Sequence, residues 1–153
     1  MNNSLNTNGF VYKTGDIFES TCQTIVVAVN TVGVMGKGQA LRCNELFPNV
    51  LDVHRKLCFN RQLKIGRLQV VPVGENKQLL LFPTKAHWRN PSKYQYIEEG
   101  LDDLVNRYQE LNIQSLALLP LGCGLGGLDS DNVLARIESK LTDLPINIEL
   151  YNF

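Results

Sequence analysis

A chain of 153 residues with 44 % hydrophobic and 20 % charged residues fits one globular domain that buries roughly 70 % of its unfolded surface. Its 15 Lys and Arg residues balance 15 Asp and Glu. That balance excludes a global field drawing the whole molecule to nucleic acid or an anionic membrane, so a nucleic-acid substrate has to be held by a local patch.

Residues 1–9 have neither the basic nor the apolar region of a leader and read as a flexible lead-in to a single domain over 10–153. The apolar runs are too short to span a bilayer. The four cysteines, Cys22, Cys43, Cys58 and Cys123, lack C-x-x-C spacing and zinc-finger histidines, which suits reduced thiols in the cytoplasm and no metal site.

A first strand is expected over Phe10-Val-Tyr-Lys-Thr14, ended by the turn residues Gly15-Asp16. Ile25 to Asn30 is a continuous apolar run, the pattern of a strand covered on both faces. The glycine-rich stretch Gly33-Val-Met-Gly-Lys-Gly38 follows, then helical sequence to Phe47 and a second helix from Asn49 to about Phe59. Gly66–Val73 and Gln78–Pro83 form an antiparallel hairpin, with Pro72 arguing for an edge or a bulge. Ser92-Lys-Tyr-Gln95 has the form of a capping box opening the longest helix, whose apolar stripe runs from Tyr94 to Leu111. Ser115–Leu119 is another buried strand, Asp129 or Ser130 caps a helix to Leu141, and Ile146–Tyr151 alternates as a last strand. The order β-β-α-α-β-β-α-β-α-β predicts a three-layer α/β/α sandwich with a mixed sheet of about six strands.

The strand–glycine loop–helix unit occurs twice, at Gly33–Gly38 and again at Gly122-Cys-Gly-Leu-Gly-Gly127. Backbone N–H groups in such loops, backed by a helix N-terminus, suit an anion, and two at one sheet edge clamp a diphosphate from both sides. Gly122-x-Gly-x-x-Gly127 formally fits a dinucleotide fingerprint, but only one strand remains after it to build the second half. Gly38 is followed by Gln39-Ala40 rather than Lys-Ser/Thr, so Lys37 is not a Walker lysine.

Gly15-Asp-Ile17, Val29-Asn-Thr-Val-Gly-Val-Met-Gly-Lys-Gly38 and Leu121-Gly-Cys-Gly-Leu-Gly-Gly127 together resemble the macrodomain family, over roughly residues 10–153. Phe82-Pro-Thr-Lys-Ala-His-Trp-Arg89 and Pro120-Leu-Gly-Cys-Gly124 narrow the resemblance to the DNA ADP-ribosyl glycohydrolase antitoxins, the branch that includes human terminal ADP-ribose protein glycohydrolase.

The resemblance implies ADP-ribose as ligand and no cofactor. Asp16 then accepts from the adenine amine with Ile17 beside it, or alternatively caps its own turn. Tyr151 lies on the adenine face, or is a core residue. Asn30 faces the distal ribose, or caps the loop. Thr31, Met35, Gly36, Gly38 and Thr84 complete that side. Leu121, Gly122, Cys123, Gly124, Leu125 and Gly126 hold the diphosphate and ribose through main-chain N–H groups. Lys85 is the expected catalytic residue, as nucleophile toward an opened sugar aldehyde or as a cation stabilising the leaving group. His87 is a candidate acid/base or a structural imidazole. The human relative has a resolving Asp in its second glycine loop where this chain has Gly126, with Asp129 three residues on.

Trp88, Arg89 and Lys93 form with Lys85 and His87 a basic-aromatic segment suited to single-stranded nucleic acid, or an ordinary exposed loop. Cys123 with His54 or His87 would make a rival cysteine hydrolase; a small buried thiol is the simpler reading.

The implied activity is hydrolysis of ADP-ribose from modified thymidine in DNA, reversing a toxin's mark as an antitoxin or counter-defence factor. The alternatives are a phosphatase or deacetylase acting on ADP-ribose 1″-phosphate or O-acetyl-ADP-ribose, and a non-catalytic reader. The expected protein is a cytoplasmic monomer. Antitoxins of this branch also carry a toxin-gripping C-terminal domain, which a chain stopping at Phe153 lacks.

Overall fold

The computed structural model describes residues 4–5 and 9–153. A seven-stranded sheet runs β1 (Ser4–Leu5), β2 (Phe10–Lys13), β7 (Asn147–Tyr151), β6 (Ser115–Leu118), β3 (Thr24–Asn30), β5 (Lys77–Lys85), β4 (Gln69–Gly74) in spatial order. The five inner strands are parallel, and β1 and β4 are antiparallel edges. The sheet exceeds the expected six strands because Ser4–Leu5, assigned by sequence to the lead-in, pairs with Tyr12 and Val11; residues 1–3 and 6–8 lie outside the described residues.

The apolar runs are continuous because each inner strand feeds two cores. On β3, Ile25, Val27 and Val29 face one layer and Val26 the other; on β5, Leu79 and Leu81 oppose Leu80 and Phe82. One face is covered by α1 (Gly38–Leu46) and α2 (Asn49–Phe59), which contribute Cys43 and Val50. The other is covered by α3 (Tyr94–Arg107) and α4 (Ser130–Leu141), through Ile97, Leu101, Leu104, Val133 and Ile137. The result is the expected three-layer sandwich. Among the described residues no helix is long and apolar enough to cross a membrane.

Pro72 sits on the edge strand β4 beside a register irregularity, where its missing N–H costs no ladder bond. Asp129 caps α4, its carboxylate accepting from the Asn132 N–H at 3.0 Å. The capping box at Ser92 does not form. Lys93 is the N-cap of α3 without a side-chain bond, and the Ser92 hydroxyl is buried with no partner among the described residues. The helix stops at Arg107, so Tyr108 and Leu111 pack from the turn beyond it. A 3-10 turn, Ile17–Glu19, is capped by Asp16, whose Oδ1 accepts from Phe18 N at 3.0 Å.

Helix α3 crosses the sheet at Gly100, where an added Cβ would lie 2.3 Å from Cζ of the fully buried Phe82. Gly to Ala inside an exposed helix gains about 1 kcal/mol. At this crossing the sign reverses. Gly100→Ala is expected to destabilise the fold by about 1–3 kcal/mol, read from the urea unfolding midpoint.

Candidate active site

Strands β3 and β6 pair only at Thr24–Leu116 and Ile25–Ala117, and beyond that point they separate. The next ladder groups of β3 are satisfied by a side chain instead. The Gln39 amide accepts from Ala28 N at 3.1 Å and donates to Val26 O at 2.7 Å. The chain leaves β3 toward β5 and leaves β6 toward β7, so the opening is the switch point at the carboxyl edge where an open α/β sheet takes its ligand. A cavity of about 850 Å³ fills it, walled by both glycine loops. A second, of about 250 Å³, continues from it past Gly38, Gln39 and Leu119 to Asp16, Ile17 and Arg42.

In the first loop Asn30 is buried, and its amide is largely spent on the loop itself. Oδ1 accepts from Val32 N at 3.1 Å and Val34 N at 3.2 Å, while Nδ2 donates to Val34 O at 2.7 Å. Asn30 still lines the cavity, with one N–H left over. Thr31 donates to Ala86 O at 2.6 Å, fastening this loop to the segment after β5. Met35 is buried in the core, so neither Thr31 nor Met35 lines the cavity; Gly36 and Gly38 do. Among the described residues the N–H groups of Gly36 and Lys37 make no protein bond, and α1 begins without a side-chain cap. That leaves donors and a helix dipole facing the cavity.

The second loop is built on contact. Gly122 has φ +74°, and a Cβ at Gly126 would fall 2.3 Å from the Gly122 carbonyl oxygen and 2.4 Å from Ser92 Oγ. Gly126 O accepts from Ser92 N at 3.0 Å, and Gly122 O from Leu128 N at 3.0 Å. The N–H groups of Gly124, Leu125 and Gly126 make no protein bond among the described residues, an arrangement suited to an anion. Gly122, Cys123, Gly124, Leu125 and Gly126 line the cavity, while Leu121 points into the core. Burial, with the Asp129 carboxylate, pushes the Cys123 thiol up, away from the thiolate a nucleophile needs.

A register shift after Val29 sets Asn30 opposite Lys85, the last residue of β5. Thr84 and Lys85 both line the cavity. Lys85 Nζ lies 3.3 Å from Trp88 O and 3.3 Å from Leu125 O, tying the turn after β5 to the second loop. His87 lines neither cavity; its Nδ1 accepts from Arg89 N at 3.1 Å and its ring lies against Trp88. Lys37, Lys85 and Arg89 line the large cavity, and among the described residues no Asp or Glu does. Asp129 is committed to its helix cap.

At the far end Asp16 is shared between its own turn and Arg42, 2.6 Å away. Tyr151 does not reach either cavity. Strand alternation turns it into the α1–α2 core layer, and burial pushes its hydroxyl up. Its neighbour Asn152 lines the small cavity instead, at φ +63° with its amide clasping Gly15 N and Gly15 O at 2.9 Å each. Gln39, Arg42 and Asn152 are missed by sequence reasoning. No periodicity or motif reports a side chain that folds back on a distant main chain.

His54 pins the whole arrangement from behind. Fully buried on α2, it holds Asn30 O at 2.9 Å through Nε2, while Nδ1 has no partner among the described residues. Burial lowers its pKa below the ordinary 6.5 against the pull of the Asn30 carbonyl, and the Arg55 charge lowers it further. The unfolded chain therefore takes up a proton that the folded chain resists. The contribution is present above about pH 6.5 and is lost as pH falls below it. Urea midpoints at pH 7.5 and 5.5 are expected to drop more for the native protein than for His54→Gln.

The macro domain family model matches residues 26–137. The chain is 46 % identical over 133 residues to the DNA ADP-ribosyl glycohydrolase of Thermus aquaticus, covering 85 % of this chain and 37 % of that protein. The curated bacterial relatives it matches are more than twice as long, and the chain spans about two fifths of them. The macrodomain of Mycobacterium tuberculosis DarG superposes with a TM-score of 0.89 at 40 % identity, over 94 % of this chain and 97 % of that one. Thermosipho africanus DarTG in complex with ADP-ribose superposes with 0.90 at 39 % identity, over 95 % of this chain and 42 % of that one. The two glycine loops at a split sheet edge are thus those of a known fold, and the chain belongs to the macro domain family.

Proposed function

We propose that this macrodomain is an ADP-ribosyl glycohydrolase that removes ADP-ribose from thymidine in single-stranded DNA and so reverses a toxin's mark. The observation that carries the reading is Lys85 Nζ, set between Trp88 O and Leu125 O in a cationic cavity with no carboxylate. Glycosidases ordinarily cut with a pair of carboxylates flanking the bond. Here an amine stands at the place where the chemistry would occur. The relatives' names, DNA ADP-ribosyl glycohydrolase and a DarTG bound to ADP-ribose, support the same substrate.

In this reading the diphosphate lies between the unpartnered N–H groups of the two loops. Adenine occupies the small cavity beside Asp16 and Ile17, and the distal ribose lies between the spare Asn30 N–H and Lys85. The eraser works in the cytoplasm as a monomer, in the role of an antitoxin or a counter-defence factor. Its toxin partner acts through the shared DNA mark.

The chemistry of Lys85 takes one of two forms. As an amine it attacks C1″ of the distal ribose as the bond to the base nitrogen breaks. The base leaves with the electron pair and takes up a proton, and the adduct opens to a Schiff base that water hydrolyses to free ADP-ribose. As an ammonium, held by two carbonyls, it offers its remaining N–H to the departing base while water adds at C1″. Incubation with an oligonucleotide ADP-ribosylated on thymidine is expected to release free ADP-ribose, and Lys85→Ala is expected to slow release by about 10²–10⁴-fold. Borohydride trapping of a protein-bound sugar identifies the first form. Activity surviving in Lys85→Arg identifies the second. Turnover confined to ADP-ribose 1″-phosphate or O-acetyl-ADP-ribose, or tight binding with no turnover, refutes the reading.

The contact that shapes the second loop gives an independent check. Gly126→Ala must push the Gly122 carbonyl away and so spread the N–H groups. Its ADP-ribose affinity by calorimetry is expected to fall by about tenfold or more. Gly74→Ala, outside both cavities and with room for a methyl group, leaves the affinity in place.

A further inference from the structure

Among the described residues, three of the seven exposed large hydrophobics border one opening: Trp88 at 40 %, Leu125 at 67 % and Val34 at 39 % exposure all line the large cavity. They come from three separate segments, the turn after β5 and the two glycine loops. Single exposed apolar side chains are ordinary on a protein surface, whereas convergence on one rim marks a recognition site. On the proposed function the sugar and diphosphate are held by main-chain N–H groups, which leaves these side chains to another part of the substrate.

Lys85 lies between two of these three residues. Its ammonium touches the main chain of Trp88 and of Leu125, so the two residues that flank it in the fold also present exposed side chains at the same cavity. The Arg89 guanidinium lies 4.6 Å over the Trp88 ring, adding a flat cation to that wall. A carboxylate ester or an acetyl group fills neither wall. A flat heterocycle flanked by phosphates fits both the apolar faces and the cation.

We infer that this rim is a subsite for the leaving nucleobase, with the Trp88–Arg89 stack as one wall and Leu125 as the other, resting on the reading of the cavity as an ADP-ribose pocket. The base carrying ADP-ribose is lifted out of its strand and gripped beside Lys85, and Arg89 faces the phosphates next to it. The subsite selects nucleobase conjugates over ADP-ribose carried on carboxylates.

Trp88 is the single tryptophan of the chain, so its fluorescence reports the rim directly. Lys85→Ala protein is saturated either with ADP-ribose or with a single-stranded oligonucleotide bearing one ADP-ribosylated thymidine, and Trp88 is probed with acrylamide. The oligonucleotide is expected to cut acrylamide quenching by about twofold or more and ADP-ribose to leave it nearly as in the free protein. Leu125→Ser is expected to weaken oligonucleotide binding about tenfold more than ADP-ribose binding, the size expected for one lost stacking wall. Equal shielding by the two ligands, no shielding by bound oligonucleotide, or equal losses in Leu125→Ser overturn the inference alone. Absence of ADP-ribose binding altogether overturns the underlying reading and the inference with it.

Discussion

The fold tolerates a binding cleft because one amide side chain closes an open ladder. Past Ile25 and Ala117 the central strands part, and Pro120 offers no N–H with which β6 could continue. Val26 O and Ala28 N, part-buried at the head of the cleft, would then lose their ladder partners. Gln39 satisfies both. It stands in the first turn of α1, so the same residue fixes where that helix begins and how its N-terminus meets the cavity. The sheet opens, the two loops diverge, and everything else in the site hangs on that gap.

Two helices start beside the cleft, and they are not equivalent. The α4 N-terminus is closed by Asp129, with Asp131 in its first turn, so its donors and dipole are already answered. The α1 N-terminus has neither a cap bond nor an acidic residue in its first turn. Together with Lys37, Lys85 and Arg89 it makes a local positive field in a chain whose charges sum to zero. An anionic ligand is drawn to one edge of the molecule, and the rest of the surface stays indifferent.

The order of elements from Phe10 onward, both glycine loops and the α4 cap are legible in the sequence because each is set by neighbours in the chain. Periodicity and turn chemistry act over a few residues, and the family motifs fix the rest. What escaped is set by distant partners. Ser92 has the residues of a capping box, yet its backbone is tied to Gly126 O and its hydroxyl is packed beneath Gly122 and Gly126, so the local pattern loses to the loop. Tyr151 has an aromatic ring at the end of the last strand, but strand parity commits it to the core and leaves Asn152 at the cavity. Asn30 shows both outcomes in one residue, since most of its amide shapes the loop and one N–H remains for a ligand.

The crowding at Gly126 also bears on the chemistry. The second loop turns so tightly that a Cβ at Gly126 would fall 2.3 Å from Gly122 O, and that approach leaves no room for any side chain. A carboxylate at that position is incompatible with this loop in its present form. Asp129 does not replace it, because its oxygen already holds the first turn of α4. On the proposed function, a loop that grips the diphosphate this closely leaves no room at Gly126 for a side chain that could resolve a sugar–enzyme adduct. The work of bond cleavage then falls to Lys85 and to the water that enters beside it.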